Sequence, residues 1–315
     1  MCTLQVPTLD DKRQGPEERR DTVSHPQPTL AVVGVGLIGG SFALAARDAG
    51  LIKRVIGIGR SKANLQAAID LEVIDEASHD IAAVADADIV LVATPVGQMA
   101  GLFDSMAPHL KPGTVVTDAG STKSDVTALF RAHLPAHLQW CVPAHPIAGS
   151  DQSGAAAARA GLYVNRKVVL APLPETRPEA LERVEALWRA CGARVETMSA
   201  EEHDAVFAAV SHLPHLLAFA YVDMVAGKAN AQRYFDFAAT GFRDFTRIAG
   251  SHPEMWRDIA LANRAALLDE LASYQASLAR LTALVESADA AAMEHLFEEA
   301  REARVKWHER FEASR

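Results

Sequence analysis

Cysteine is scarce in this sequence: only three occur among 315 residues, and they lie far apart along the chain. Their odd number and the lack of any paired spacing give no sign of a disulfide framework or of a zinc knuckle. We therefore expect neither kind of cross-link and place the protein in the reducing cytoplasm. The three cysteines are Cys2, Cys141 and Cys191.

An excess of positive charge is also missing, since the formal net charge is -9 and lysine and arginine are spread along the chain. A negative protein repels nucleic acid and anionic lipid, so we expect neither as a partner. No apolar run approaches the ~20 residues that span a bilayer, which argues against a membrane protein. Residues 1–28 are polar, contain four prolines and lack a signal-peptide core, and we expect them to form a disordered lead.

Short apolar, β-branched segments alternate with helical segments from Thr29 onward, which is typical of a parallel sheet with helices on both faces. We expect the α/β class, with a Rossmann-type doubly wound parallel sheet over residues 29–199. A helix is predicted from about Glu179 to Cys191 and is ended by Gly192. The predicted strands are LAVVGVG, KRVIGIG, ADIVLVATP, GTVVTDAG, QWCVPAHP, RKVVLAP and ARVETMS.

The strand signal ends after Met198, where Ser199 and Glu202 form a capping box that opens a helix. Residues 200–315 are predicted to be entirely helical, with apolar positions recurring about every 3.6 residues. This stretch is too short to bury all of its apolar faces within itself. We therefore predict an all-helical dimerisation domain that packs against a second copy, which gives a homodimer.

A glycine-rich turn, GVGLIGGS, follows the first predicted strand and opens the first predicted helix. In this context a dinucleotide fingerprint bends the chain tightly and directs a helix N-terminus at a pyrophosphate. We expect an NAD(P) site here, completed by Thr94 and Pro95 after ADIVLVA. The residues assigned to the turn are Gly34, Gly36, Leu37, Ile38 and Gly39.

The choice of cofactor depends on the end of the second predicted strand, VIGIGRSK. An NAD enzyme usually has an acid there that binds the ribose hydroxyls, whereas this chain has Gly59 and Arg60. Arg60, with Ser61 and Lys62 beside it, is suited to bind a 2′-phosphate, which favours NADP over NAD. Alternatively, Arg60 caps an exposed turn, and the site then accepts both cofactors.

Polar residues follow the later predicted strands, at the edge of the sheet where α/β enzymes place their chemistry. His145, in HPIAGS, follows a buried strand and is the candidate general base; a structural histidine bonded to the backbone is the alternative. In SHLPH, His212 and His215 share one helix face, and Pro214 is expected to kink that helix.

The segment GFRDFTRIAGSHPEMW places Arg243 and Arg247 between glycines, and arginine suits a bidentate grip on a carboxylate. We therefore expect an anionic substrate. A metal site is the rival interpretation, but it lacks acidic ligands and hydride chemistry needs no metal, so we expect none. The histidines of that rival site are His145, His203, His212 and His215.

Five motifs occur together in an order and spacing that resemble the prephenate/arogenate dehydrogenase family of tyrosine biosynthesis. The resemblance covers residues 29–280, and the joint occurrence of the motifs is far more specific than any one of them. It implies a dinucleotide-binding domain joined to a helical dimerisation domain, in agreement with the pattern described above. The motifs are GVGLIGGS, DAGSTKS, HPIAGS, SHLPH and GFRDFTRIA.

The activity that the resemblance implies is an oxidative decarboxylation, in which prephenate passes its C4 hydride to the nicotinamide, loses CO2 and becomes 4-hydroxyphenylpyruvate. On the same resemblance, His145 draws away the C4 hydroxyl proton and Ser121 contacts this hydroxyl. Arg243 matches the arginine of the GFRD motif and is expected to bind a substrate carboxylate. The remaining substrate-binding positions are His212, His215, Ser150 and Trp256.

The identity of the substrate is the main alternative left open. Asp151 follows Ser150, and an acid there either attracts the ammonium group of arogenate or caps a turn. Arogenate or dual-substrate cyclohexadienyl dehydrogenase is then the alternative activity. Two other classes compete: a 3-hydroxyacid dehydrogenase, whose catalytic lysine has no counterpart nearer than Lys228, and a redox sensor that binds NAD(P) without turnover. If tyrosine inhibits, it acts at the active site or at the dimer interface.

Overall fold

A computed structural model describes residues 27–149 and 152–313. Most of the predicted disordered lead lies outside this range, so that prediction stays a prediction. Gln27 begins the described chain and donates a side-chain hydrogen bond to the carbonyl of Gly50 (Nε2···O 2.6 Å). Ser150 and Asp151, two predicted substrate-binding residues, also lie outside the described residues.

The main sheet has six parallel strands: β1 (Thr29–Val33), β2 (Arg54–Ile58), β3 (Glu76–Ser78), β4 (Ile89–Val92), β5 (Val115–Asp118) and β6 (Cys141–Val142). Their order is β3-β2-β1-β4-β5-β6, so the chain reverses its direction of travel across the sheet between β1 and β4. Doubly wound sheets bind their ligands in the crevice at such a reversal. The predicted Rossmann-type sheet is confirmed. β3 was not among the predicted strands, because its three residues have no apolar pattern.

A second, smaller sheet contains β7 (Ala144–Pro146), β8 (Lys167–Leu170) and β9 (Arg194–Thr197). β7 is antiparallel to β8, and β8 is parallel to β9. The prediction of one strand over QWCVPAHP is therefore wrong, because this segment contributes β6 to one sheet and β7 to the other. Pro143 has no amide hydrogen for a ladder bond, and the amide of Ala144 donates to Asp118 Oδ1 (3.0 Å) instead of to a strand.

Helices cover both faces of the main sheet: α1 (Leu37–Asp48), α2 (Lys62–Asp70), α3 (Met99–Met106), α4 (Ser124–His133) and α5 (Pro178–Ala190). On one face, Phe42 of α1 packs against Trp188 of α5 with ring centroids 4.5 Å apart. On the other, Phe103 of α3 packs against Phe130 of α4 at 4.8 Å. Gly192 follows α5 with a φ of 85°, as predicted for a glycine that ends a helix. These two apolar layers hold the strand ends in place.

The described chain from Ala200 to Ala313 is helical: α6 (Ala200–Phe207), α7 (Leu213–Ala226), α8 (Ala231–Asp236), α9 (Thr240–Thr246), α10 (Pro253–Ala262), α11 (Arg264–Glu286) and α12 (Ala290–Ala313). Ser199 Oγ accepts the amide of Glu202 (3.0 Å), so it caps α6 as predicted. Large apolar side chains of this half stay exposed, which is the kind of surface that a second copy covers. They include Val210, Met224, Phe297 and Trp307.

One continuous helix, Ala200–Ala226, joins α6 to α7 through a π-helical turn at Ala208–His212. By length and composition alone it is apolar enough to cross a membrane, with a mean hydropathy of 1.6. No segment of this kind was predicted from the sequence. Its inward side carries His203, Asp204 and His212, which are buried in polar contacts with other elements. These contacts attach one side of the helix to the rest of the described chain, while 28% of its most apolar stretch is buried.

Candidate active site

The glycine turn joins β1 to α1 at the crevice of the main sheet. Gly34 has a φ of 98°, and a Cβ there would lie 2.7 Å from the carbonyl oxygen of Ala93, so only glycine fits. A Cβ on Gly39 would lie 2.5 Å from the carbonyl oxygen of Gly34, so this glycine lets α1 approach the strand. A Cβ on Gly36 would meet nothing within 4 Å, which leaves open space above the first turn of α1. This cradle fits a pyrophosphate at the helix N-terminus.

The other predicted cofactor contacts surround this turn. Leu37 and Ile38 form the start of α1, and the carbonyl of Ile38 accepts the hydroxyl of Tyr163 (2.6 Å), which fixes the turn. Thr94 and Pro95 follow β4, and Thr94 Oγ1 is buried without a hydrogen-bond partner in the described chain. Since Thr94 also borders Gly34, its hydroxyl is a group that a bound nucleotide would satisfy.

Arg60 lies just beyond β2, and its side chain is exposed. Its neighbour Ser61 caps α2, because Ser61 Oγ accepts the amide of Asn64 (3.2 Å). Residues 59–62 contain two cations and no acid. The structure therefore leaves Arg60 accessible at the position where the ribose end of a dinucleotide lies in this fold.

Three buried side chains form a hydrogen-bonded line between the sheet half and the helical half. His145 of β7 contacts His203 of α6 (Nδ1···Nε2 2.8 Å). His203 in turn contacts the carboxylate of its neighbour Asp204 (Nδ1···Oδ1 2.8 Å). Phe207 packs against both imidazole rings, with centroids 4.9 Å from His145 and 4.4 Å from His203. The predicted general base is thus held by residues of the helical half.

Asp204 is fixed at the N-terminus of α4. Its Oδ1 accepts the amide of Lys123 and its Oδ2 accepts the amide of Ser124, both at 2.8 Å. Burial raises the pKa of Asp204, but the hydrogen bonds that it accepts outweigh burial and keep its pKa below the ordinary value. The side chain of Asn263 donates to the carbonyl of Asp204 (2.7 Å). Asp204 is therefore an anchored carboxylate at neutral pH.

A buried ion pair lies next to His145. Lys123 and Asp118 have no exposed side-chain surface and form a salt bridge of 2.5 Å (Nζ···Oδ2), while Lys123 Nζ also donates to the carbonyl of Ala144 (2.9 Å). Burial lowers the pKa of His145 well below its ordinary value, and Lys123 and the neighbouring histidines act in the same direction. His145 is thus a neutral imidazole at neutral pH, which a general base must be.

His212 lies at the end of the π-helical turn, two residues before Pro214. Proline donates no hydrogen bond to the preceding turn, so the predicted kink takes the form of a widened turn. The side-chain Nδ2 of Asn263 donates to His212 Nδ1 (3.1 Å), and His212 Nε2 is buried without a hydrogen-bond partner in the described chain. Burial lowers the pKa of His212 to about 4, against the opposing effects of Asp204 and of the backbone of Ser121. The backbone of Ser121 therefore lies close to His212.

His215 and Trp256 stack, with ring centroids 3.6 Å apart. His215 Nδ1 donates to the carbonyl of Ser211 (2.8 Å), since a carbonyl can only accept. Trp256 Nε1 is buried without a partner among the described residues. Arg247 belongs to the turn Arg247–Gly250, which packs against α7. Burial lowers the pKa of His215, the hydrogen bond to Ser211 opposes this, and the positive charge of Arg247 lowers the pKa further. The pair forms an aromatic wall with a cation beside it.

Arg243, the predicted carboxylate-binding arginine, has a largely exposed side chain. It belongs to α9, its side chain is 72% exposed, and its Nε donates to the neighbouring Asp244 (2.8 Å). Among the described residues, no group of three or more His, Cys, Asp or Glu side chains is arranged to hold a metal. The side chains that the structure brings together are His145, His203, Asp204, His212, Asn263, His215 and Trp256.

Sequence reasoning missed Asp204 and Asn263, and it considered His203 only as a rival metal ligand. The adjacent pair His203-Asp204, one turn beyond a helix cap, was a usable signal, since a carboxylate beside a histidine often orients it. Asn263 gave no such signal, because it lies in the break between α10 and α11 and meets His212 only in the folded chain.

Together the fold and the cluster define a two-domain, nucleotide-binding oxidoreductase, in which a helical half brings histidines to the crevice of a doubly wound sheet. The family model "Prephenate dehydrogenase, nucleotide-binding domain" matches residues 42–197. The model "Prephenate dehydrogenase, dimerization domain" matches residues 199–299. The chain belongs to the prephenate dehydrogenase family.

Similar enzymes from other organisms support this assignment. A prephenate dehydrogenase of Bacillus subtilis is 38% identical over 88% of this chain and 75% of its own length. A cyclohexadienyl dehydrogenase of Zymomonas mobilis is 36% identical over 88% of this chain and 94% of its own. The crystal structure of prephenate dehydrogenase from A. aeolicus in complex with hydroxyphenyl propionate and NAD+ superposes with a TM-score of 0.85, at 34% identity over 90% of this chain and 99% of that one.

Proposed function

We propose that this chain catalyses the NAD(P)-dependent oxidative decarboxylation of prephenate to 4-hydroxyphenylpyruvate and CO2, a step in tyrosine synthesis. The observation that carries the proposal is a buried, neutral His145 held beside the nucleotide crevice in a chain of this family. The A. aeolicus relative binds NAD+ together with a hydroxyphenyl acid, which supports the same chemistry.

The test is formation of the reduced nicotinamide by purified protein with prephenate or arogenate, each combined with NAD or NADP. We expect turnover with prephenate. Absence of turnover in all of the combinations would reject the enzyme and favour a nucleotide-binding redox sensor. Turnover with arogenate alone would favour the alternative substrate.

The described residues divide the work of this reaction. When bound, the nicotinamide accepts the hydride that leaves C4, and the ring carboxylate is then lost as CO2. His145 takes the proton from the C4 hydroxyl oxygen and returns it to the same oxygen in the phenol product, so no proton is gained or lost overall. Ser121 contacts this hydroxyl, and His212 of the helical half lies close to the backbone of Ser121. The stacked His215 and Trp256 rings line one side of the pocket for the substrate ring.

The carboxylates of prephenate need a cation, and two arginines of one segment compete for this role. The resemblance assigns it to Arg243, whereas the position of Arg247 near His215 favours Arg247. A lost charge-assisted hydrogen bond of about 1.5–3 kcal/mol corresponds to roughly a 10- to 150-fold weaker interaction. We therefore expect Arg247→Gln to raise KM for prephenate by that factor with little change in kcat.

Arg243→Gln is the matched variant, because it makes the same change four residues earlier in a side chain that is 72% exposed. An increase of KM in Arg243→Gln alone would restore the assignment made by resemblance. Steady-state kinetics with prephenate as the varied substrate measures both variants.

We propose NADP as the preferred cofactor, because Arg60 is exposed just beyond β2 and no acid lies in residues 59–62. Arg60→Asp is expected to reduce kcat/KM for NADP by about 10-fold or more and to affect NAD much less. Lys53→Asp is the control, since it makes the same kind of charge change at an exposed residue before β2. Equal losses with both cofactors would contradict a role of Arg60 in reading the 2′-phosphate.

The remaining parts of the proposal concern the substrate, the assembly and regulation. Ser150 and Asp151 stay candidates for substrate contact. The similarity to a cyclohexadienyl dehydrogenase supports the use of both prephenate and arogenate as the alternative. The match to a dimerisation domain and the exposed apolar helices support a homodimer. We also propose a cytoplasmic location and, for any feedback by tyrosine, a site at the active site or dimer interface.

A further inference from the structure

We propose that His203 is a positioning residue that, together with Asp204, dictates which nitrogen of His145 serves as the base. The inference rests on the proposed function only for the role of His145 and otherwise stands on the hydrogen-bonded line from His145 to Asp204. It assigns to the His203-Asp204 pair a task in the reaction in addition to its part in packing α6.

The carboxylate of Asp204 can only accept hydrogen bonds. Its Oδ1 lies 2.8 Å from His203 Nδ1, so that nitrogen carries the hydrogen. Asp204 cannot turn away, because its oxygens also accept the amides of Lys123 and Ser124 at 2.8 Å. The hydrogen of His203 is therefore fixed on Nδ1.

His203 is neutral at neutral pH, because burial lowers its pKa and Lys123 acts in the same direction, against the opposing effect of Asp204. A neutral imidazole with its hydrogen on Nδ1 has an unprotonated Nε2 that can only accept. His203 Nε2 lies 2.8 Å from His145 Nδ1, so His145 must donate through Nδ1. The lone pair of His145 is thereby placed on Nε2, the nitrogen not engaged by His203.

Other groups around His145 act on its charge but do not select its tautomer. Lys123 and His212 lower its pKa electrostatically, and Phe207 packs on its ring without a hydrogen bond. When His145 takes up the proton of the substrate, the resulting imidazolium keeps its Nδ1–H bond to His203. The line ends on the Asp204 carboxylate, which favours that charge.

The direct test is a long-range proton–nitrogen NMR spectrum of the whole protein with labelled histidine at neutral pH. His145→Asn identifies the signals of His145 by their disappearance. We expect wild-type His145 to carry its hydrogen on Nδ1. A His145 with its hydrogen on Nε2 would overturn the proposal, whether or not the protein turns over prephenate. Absence of turnover would instead count against the proposed function.

Two variants of His203 provide the kinetic test. His203→Leu removes the acceptor, and we expect the hydrogen of His145 to move to Nε2 and kcat to fall by about 100-fold or more at every pH, with KM nearly unchanged. His203→Gln offers a carbonyl oxygen as acceptor, and we expect it to recover kcat to within about 10-fold of wild type with the hydrogen back on Nδ1.

Phe207→Leu is the matched control, because it alters the packing on both imidazole rings and leaves the hydrogen bonds in place. We expect the tautomer of His145 to be unchanged in this variant. Wild-type kcat in His203→Leu would overturn the proposal, as would the same tautomer in His203→Leu and wild type. If the His203 variants fail to fold, the tautomer of His145 in the wild-type protein is sufficient to test the proposal.

Discussion

Replacing His145 by asparagine is expected to lower kcat for prephenate by about 10²- to 10⁴-fold, which is the usual contribution of a positioned general base. Asparagine keeps a side chain of similar polarity but cannot take up the C4 hydroxyl proton. Because burial holds the pKa of His145 well below 6.5, the wild-type base is available throughout the neutral range. The wild-type kcat should therefore not follow the ionisation of His145 within that range.

Binding of prephenate should survive this change, since the aromatic wall of His215 and Trp256 is untouched. Calorimetric titration of the variant with prephenate, beside steady-state kinetics, separates the two effects. His109→Asn is the control, because it makes the same substitution at an exposed histidine outside the cluster. A loss of less than about 10-fold in His145→Asn would fall below the range for a general base and would support a structural histidine instead.

The sheet, the glycine turn and the helical half are predictable from sequence because each depends on local patterns. The turn needs glycine at Gly34 for its φ of 98°, and a glycine that the backbone requires can be recognised in the sequence. The end of the strand at Pro143 could also have been predicted, since proline is poorly tolerated inside a central strand. Its consequence, the transfer of His145 to a second sheet, depends on pairing with β8, which lies more than twenty residues further along the chain.

The support of His145 was not predictable in the same way, because it is formed by residues distant in sequence. The contact of His145 with His203 spans 58 residues, and the contact of Asp204 with the Lys123 amide spans 81. Nothing local in HPIAGS or in SAEEHD indicates that these segments meet. Similarly, the motif GFRD draws attention to Arg243, whereas the proximity of Arg247 to His215 emerges only when α7 is folded.

The second large effect is expected from Lys123→Met, which should lower the free energy of unfolding by about 3–5 kcal/mol. Lys123 and Asp118 are both without exposed side-chain surface, so the substitution leaves a buried carboxylate without its cation. Asp118 also accepts the amides of Gly120 and Ala144, which keep it in place and prevent it from turning toward water. Urea unfolding measures the change, and one fixed protein concentration for both proteins holds the contribution of dimerisation constant.

Lys111→Met is the matched control for this prediction, because Lys111 pairs with Asp88 at 3.5 Å on the surface. An exposed pair contributes about 0–1 kcal/mol, so the same substitution there should be nearly neutral. Combining Lys123→Met with Asp118→Asn should recover part of the loss, since the second change removes the uncompensated charge. If Lys123→Met is no more destabilising than Lys111→Met, the buried carboxylate does not depend on its cation and the prediction is wrong.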